Sequence, residues 1–458
     1  MLKRLFEIRC FPWTTYIVIA WMVPFWMIGW TKSHAANPAD SVSFANQIAP
    51  VLFENCIACH GPKKAEGGYR IDTYTELQKP GDSGAVPVVP SGASAGELLK
   101  RIKSSDPSDR MPAESDPLPR EQIESIEQWI LQGAKFDGKT ASDPLQLVVP
   151  PKTYPAPPSS YKHAVPIAAM AFSPDGKQLL VGGYREITVW SCEENKLLRR
   201  ISNVGPSVNS IVFLPDDIRI AVGCGEPGIR GEVRILDFAS GQLQAVTARA
   251  NDLVLDIAVR LGTSEIAVAA ADSLIRIVDT TAMSEIRTIA SHADAVTSVS
   301  WNEDGTRLAS VSRDKSAKVY DSSTGELLVS YSGHGASVRG IVFSSNGKDA
   351  LTAGGDLKLH RWAIEGGKKS VEVNVAGEAF KLKRTGEHVY VPSTDGKCRQ
   401  IDLNNNQVTR LYEGPSEWIL SMAVHLGTKR VAAGYRNGEV HIWNLETGEP
   451  VRNWVAKP

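Results

Sequence analysis

The stretches MAFSPDGKQLLVGGYREITVW, VSWNEDGTRLASVSRDKSAKVYD, IVFSSNGKDALTAGGDLKLHRW and MAVHLGTKRVAAGYRNGEVHIWN follow one plan: a strand, a turn, a small-residue strand, then a strand ending in an aromatic. Extending the alignment places Phe172, Phe213, Val259, Trp301, Phe343, Leu382 and Val424 at one position, and Trp190, Leu236, Val278, Tyr320, Trp362, Ile401 and Trp443 at another, which makes seven units. Their period of roughly 40 to 45 residues is that of a four-stranded propeller blade. A single blade cannot bury both its faces, whereas seven stacked around an axis leave no long exposed sheet edge. The repeat therefore predicts an all-β seven-bladed propeller over residues 163–458.

These units resemble a WD-repeat β-propeller. Asp237, Asp279, Asp321 and Asp402 follow the third strand as that resemblance implies, but Ser191, Ala363 and Asn444 stand there in other units. Only His292 and His334 occupy the blade-entry position, so several blades are expected to lack the buried His/Asp network. His292, His334, Asp314 and Asp356 are assigned structural hydrogen bonds. His360, His388, His425 and His441 fall singly, with no cluster at metal-site spacing. Cys192, Cys224 and Cys398 read as buried apolar residues, an odd set that cannot pair completely.

Ahead of the repeats, ENCIACHG places Cys56, Cys59 and His60 in a Cys-x-x-Cys-His motif. A zinc site needs a second ligand pair, and a redox dithiol needs a βαβ setting. Neither is visible, because the other cysteines are scattered and Asp40 to Cys59 reads as a helix with Phe44, Ile48, Leu52 and Phe53 on one face. Covalent attachment of one haem c needs only what is present: two thiols to add across the vinyl groups, and His60 to ligate the iron. Between Gly61 and Lys162 the one methionine is Met111, in the proline-stiffened segment SDRMPAES, and there is no further histidine. Met111 is thus the candidate sixth ligand, the competing reading being a core gap-filler. Ser94 to Glu97 reads as a capping box before ELLKRI. Pro119 opens a longer helix whose face of Ile123, Ile126, Trp129 and Ile130 is expected against the N-terminal helix and one haem edge, with Gly133 as its stop.

The order FENCIACHGPKKAEGGYRIDT, GELLKRIKSSDPSDRMP, LPREQIESIEQWILQGAKF resembles the planctomycete-type cytochrome c domain over Ser43 to Phe136. The resemblance implies Cys56 and Cys59 as thioether anchors, with His60 and Met111 as axial ligands. Tyr69 departs from it, standing where the family has Leu. The expected fold class is multidomain: a small all-α cytochrome c-like haem domain at 40–137, then the propeller. Six prolines between 138 and 162 read as a semi-rigid linker or as a strap lying on one domain.

The first residues carry Lys3, Arg4 and Arg9, an apolar run from Tyr16 to Trp30, and Ser33 and Ala35 at small-residue spacing. Residues 1–36 read as a signal peptide cut after Ala35 or Ala36, or as a retained N-terminal anchor that tethers the protein to the membrane. Both place the remainder in the periplasm or otherwise outside the cytoplasm. A formal charge of -1 supplies no basic field for nucleic acid. The expected role is single-electron transfer, with the propeller docking a redox partner protein, rather than enzymatic catalysis. The alternatives are a haem enzyme with a second cofactor in the propeller, weakened because the cytochrome-plus-propeller nitrite reductases have eight blades, and an extracytoplasmic redox-sensing scaffold.

Overall fold

A computed structural model describes residues 41–62, 64–92, 96–113 and 115–458. The export segment expected at 1–36 and Ser94 of the expected capping box lie outside these residues. Among the described residues no helix is long and apolar enough to cross a membrane.

The N-terminal region is helical. A widened turn, Phe44–Ile48, runs into α1 (Ala49–Asn55), followed by α2 (Tyr74–Leu77), α3 (Glu97–Ile102), α4 (Arg120–Leu131) and α5 (Leu145–Val148). Gly96, at φ 88°, precedes α3 without a side-chain cap. Pro119 leads into α4 and Gly133, at φ 100°, ends it. The apolar spacing of α4 buries Ile126, Trp129 and Ile130. Their partners include Phe44, whose ring centroid lies 5.3 Å from that of Trp129. The indole nitrogen of Trp129 donates to Lys135 O at 2.9 Å, so the largest ring of this core buries no unmet donor.

Residues 170–455 form seven four-stranded antiparallel sheets, each a meander of consecutive strands. The repeat alignment holds in register. In successive blades Trp190 pairs with Leu179, Leu236 with Ile220, Val278 with Ile266, Tyr320 with Leu308, Trp362 with Ala350, Ile401 with Val389, and Trp443 with Val431. These side chains fill the spaces between neighbouring blades. The ring closes without strand exchange: the Ile167 N–H donates to Tyr435 O at 3.2 Å, Ser421 Oγ donates to Ile167 O at 2.7 Å, and the first and last blades share one apolar cluster.

The expected loss of polar networks takes a different form. His292 bonds Asp314 at 2.9 Å and Ser310 at 2.7 Å, and His334 bonds Asp356 and Thr352 at 2.8 Å each, as assigned. Three blades without that histidine use arginine instead, pairing Asp272 with Arg276 at 2.6 Å, Asp395 with Arg399 at 2.5 Å and Glu232 with Arg234 at 2.6 Å, while the seventh pairs His441 with Glu439 at 2.8 Å. The aspartates after the third strand cap the next turn, as Asp321 does by accepting from Ser323 N at 2.9 Å. Ser191 and Asn444 do the same at their positions, so these departures keep the turn.

The proline-rich segment lies as a strap on the first two blades. Arg249 and Arg234 donate to the carbonyls of Val149 and Lys152. The Tyr154 N–H donates to Asn203 Oδ1 at 3.0 Å, and Arg200 donates to Pro158 O at 2.6 Å. Prolines keep this backbone extended and leave its carbonyls free to accept.

Candidate haem site

Helix α1 buries Ala49, Val51, Leu52 and Phe53, and this anchored face fixes where the Cys-x-x-Cys-His motif begins. The Cys56 N–H still donates to Leu52 O at 3.0 Å, and then the chain tightens, with the N–H groups of Cys59 and His60 both donating to Cys56 O at 3.2 and 3.0 Å. Gly61 permits the turn, since a Cβ there would stand 2.5 Å from Ile57 O. The motif is thereby wound onto the end of a helix that its own apolar residues hold in place.

His60 Nδ1 lies 3.2 Å from Tyr69 O. A carbonyl only accepts, so Nδ1 carries the proton and Nε2 keeps its lone pair. Holding one ring nitrogen this way is how proteins orient a histidine that ligates a metal. The Tyr69 hydroxyl donates to Leu77 O at 3.1 Å, and its ring meets His60 edge-on at 5.5 Å. The residue that departs from the family pattern therefore braces the histidine segment.

Cys56, His60, Tyr69, Leu52, Leu98 and Met111 line one largely apolar cavity of about 280 Å³. Met111 comes from the far loop, where its N–H donates to Arg101 O at 3.2 Å. Arg101 in turn binds Glu97 at 2.8 Å and Asp109 at 3.0 Å, tying that loop to α3. Cys59 does not line the cavity; α4 contributes no lining residue either, so its apolar face serves the core and not the expected haem edge.

Cys56 and Cys59 are unbonded thiols. Burial, and then the neighbouring Cys59, push Cys56 up to about 12. A redox dithiol needs the opposite, a lowered pKa that yields thiolate. Two thiols, an imidazole with one nitrogen committed, and a thioether on the far wall of an apolar cavity are a donor set that fits a c-type haem.

The model for the planctomycete cytochrome C family matches residues 56–115. The model for the WD domain, G-beta repeat, matches residues 157–191, 283–321 and 325–362. The chain joins a planctomycete cytochrome c domain to a WD-repeat propeller. The cytochrome match points to haem as the group this cavity takes. For the WD-repeat propeller, similar proteins include WD repeat-containing protein 1 of Xenopus tropicalis, 26% identical over 172 residues that make up 35% of this chain and 28% of that protein. Nuclear distribution protein PAC1 of Arthroderma benhamiae is 25% identical over 276 residues, 52% of this chain and 59% of that protein. The chain thus spans about a quarter to three fifths of these curated relatives.

Two features of this cytochrome–propeller fusion escape the sequence reading. The ion pair between Glu54 of α1 and Arg230 of the second blade joins its two parts directly. His360, read as solitary, stacks on His334 with ring centroids 4.0 Å apart, and their ligand atoms come within 4.8 Å of each other and of Asp356. The expectation of no such cluster is therefore corrected. Asp356 and His360 are four residues apart across a turn, and that spacing was the available signal.

Proposed function

We propose that the chain is an exported monohaem c-type cytochrome that transfers single electrons, and that its propeller docks the redox partner. Cys56 and Cys59 would hold the haem covalently, and His60 and Met111 would ligate its iron. When bound, that group supplies a ferric/ferrous couple that accepts and returns one electron. The observation that carries this reading is the convergence of Cys56, His60 and Met111 on one apolar cavity. Tyr69 O holds His60 in the tautomer that frees Nε2, Arg101 fixes the loop bearing Met111, and Leu52 and Leu98 give the cavity apolar walls. Ligation by both His60 and Met111 would leave the iron no position for a substrate, which favours electron transfer over haem catalysis.

The propeller supplies a rigid scaffold with loops on its faces, the arrangement in which recognition surfaces are commonly built. Its similarity to WD-repeat proteins supports a protein partner. Export rests on the basic, apolar and small-residue order at 1–36, and a membrane tether follows where that segment is retained.

The test is haem staining of the full-length protein on a denaturing gel after expression with c-type maturation. Wild type should keep its haem through denaturation, and the Cys56→Ala/Cys59→Ala double variant should lose it. Extraction of the haem from wild type by acidified solvent would refute covalent attachment. Edman sequencing of the same material reads export: a new N terminus after residue 35 or 36 marks cleavage, and a product beginning at Met1 in the cytoplasmic fraction contradicts it.

A further inference from the structure

Blades three to six share a turn aspartate four residues before a position in the third strand: Asp272 and Arg276, Asp314 and Lys318, Asp356 and His360, Asp395 and Arg399. In the third and sixth blades the arginine grips both oxygens of its aspartate, Arg276 at 3.1 and 2.6 Å, and Arg399 at 3.1 and 2.5 Å. In the fourth, His292 takes Asp314 Oδ2, and the backbone and hydroxyl of Ser316 take Oδ1 at 2.9 and 2.6 Å. Each of these carboxylates is fully answered.

The fifth blade breaks the pattern. His334 Nδ1 bonds Asp356 Oδ2 at 2.8 Å, but Lys358 stands where Ser316 would be, and Asp356 Oδ1 is buried without a hydrogen-bond partner. The strand position that carries Arg276 or Arg399 elsewhere carries His360 here. The His360 side chain is 1% exposed, and its Nε2 also has no hydrogen-bond partner. It lies 3.3 Å from Glu372 Oε2. Thr352, His360 and Glu372 are register partners on adjacent strands, so their side chains share one face. Ligand atoms of Asp356 and His360 come within 4.8 Å of each other, so a buried carboxylate oxygen and a buried imidazole nitrogen are left unmet on neighbouring side chains, with Glu372 beside His360.

We propose that Asp356 and His360 bind one divalent transition-metal ion of the zinc class at the outer part of the fifth blade, with the exposed Glu372 turning in as the third ligand. Imidazole nitrogen with carboxylate oxygens is a donor set that zinc accepts. His360 Nδ1 lies 2.8 Å from the Tyr331 hydroxyl, and donation of its proton there leaves Nε2 to ligate. His334 acts behind the site: its Nδ1–H holds Asp356 Oδ2, and its Nε2 accepts from Thr352. Lys358 and Lys369 each reach Glu372 at 2.5 Å, and the incoming cation takes the place of an ammonium there. The ion supplies the positive charge that Arg276 and Arg399 bring to their own blades.

Equilibrium dialysis of the full-length holoprotein against buffered Zn²⁺, read by elemental analysis, tests this. Wild type and the His163→Gln control, altered at an exposed histidine outside the cluster, should each bind the ion at this site. His360→Gln should bind one Zn²⁺ per chain fewer, and Glu372→Gln should weaken binding by about tenfold or more. Zn²⁺ should also raise the unfolding temperature of wild type more than that of the variants, since it binds only the folded site. Where His360→Gln does not fold, Glu372→Gln decides. Equal zinc content and affinity in wild type and the variants, or no uptake by wild type, overturns the proposal.

Discussion

Glu54, two residues before Cys56, forms an ion pair with Arg230 of the second blade. The guanidinium also lies 5.8 Å from the centroid of the Phe53 ring. The helix that carries the thiols is therefore fixed to the propeller at the point where the motif begins, which couples the orientation of the haem cavity to the second blade.

Replacing Arg230 with Ala should lower stability by about 1 to 3 kcal/mol, since its side chain is buried and loses both the aromatic face and the carboxylate. The Glu54 carboxylate is 42% exposed and can return to water. A double-mutant cycle with Glu54→Gln should therefore yield a coupling of about 1 kcal/mol or less by denaturant unfolding. A coupling indistinguishable from zero would show that the pair contributes only through Phe53.

Arg234 is the heavier anchor. It is fully buried, pairs with the equally buried Glu232 at 2.6 Å, and donates to Asn203 O at 2.6 Å and to the strap at Lys152 O. Arg234→Ala strands a carboxylate and two carbonyls away from water, so unfolding should show a loss of about 3 to 5 kcal/mol. The strap between Val149 and Ser159 should also become a site of rapid limited proteolysis. A variant as resistant as wild type would mean that Tyr154 and the other anchors hold the strap without it.

Burial lowers His292 below its ordinary value of 6.5, against the opposing pull of Asp314. The folded chain thus resists a proton that the unfolded chain accepts. Stability should be full above about pH 6.5 and fall as pH drops below it. Thermal unfolding between pH 7 and pH 5 should show a shallower decline in His292→Gln than in wild type. Identical slopes would assign that pH dependence to other groups.

The seven-unit repeat was legible because each blade needs the same apolar side chain opposite the same partner, and Trp190, Tyr320, Trp362 and Trp443 all fall where the alignment puts them. That Cys56, His60 and Met111 line one cavity was legible for a different reason: the chemistry of the motif restricts spacing, and the segment offers one methionine. The anchors of the strap were not. Arg200, Arg234 and Arg249 bind backbone carbonyls, which every residue possesses, so no side-chain pattern in the proline-rich segment announces them. The Glu54–Arg230 pair spans 176 residues and lies outside any local periodicity. His360 was misjudged because His334 reaches it from the blade entry and Glu372 from an outer strand, neighbours that only the folded blade supplies, although the four-residue spacing to Asp356 was visible in the sequence.

Carbon monoxide binding to the reduced full-length protein tests the central claim most directly. If His60 and Met111 fill both axial positions, the visible spectrum of wild type should stay unchanged on mixing, while Met111→Ala, which opens one position but keeps the thioether anchors, should bind the gas at once. Immediate formation of the carbon monoxide complex by wild type, at the rate shown by Met111→Ala, would contradict the electron-transfer account and assign the haem an open site for ligand or substrate.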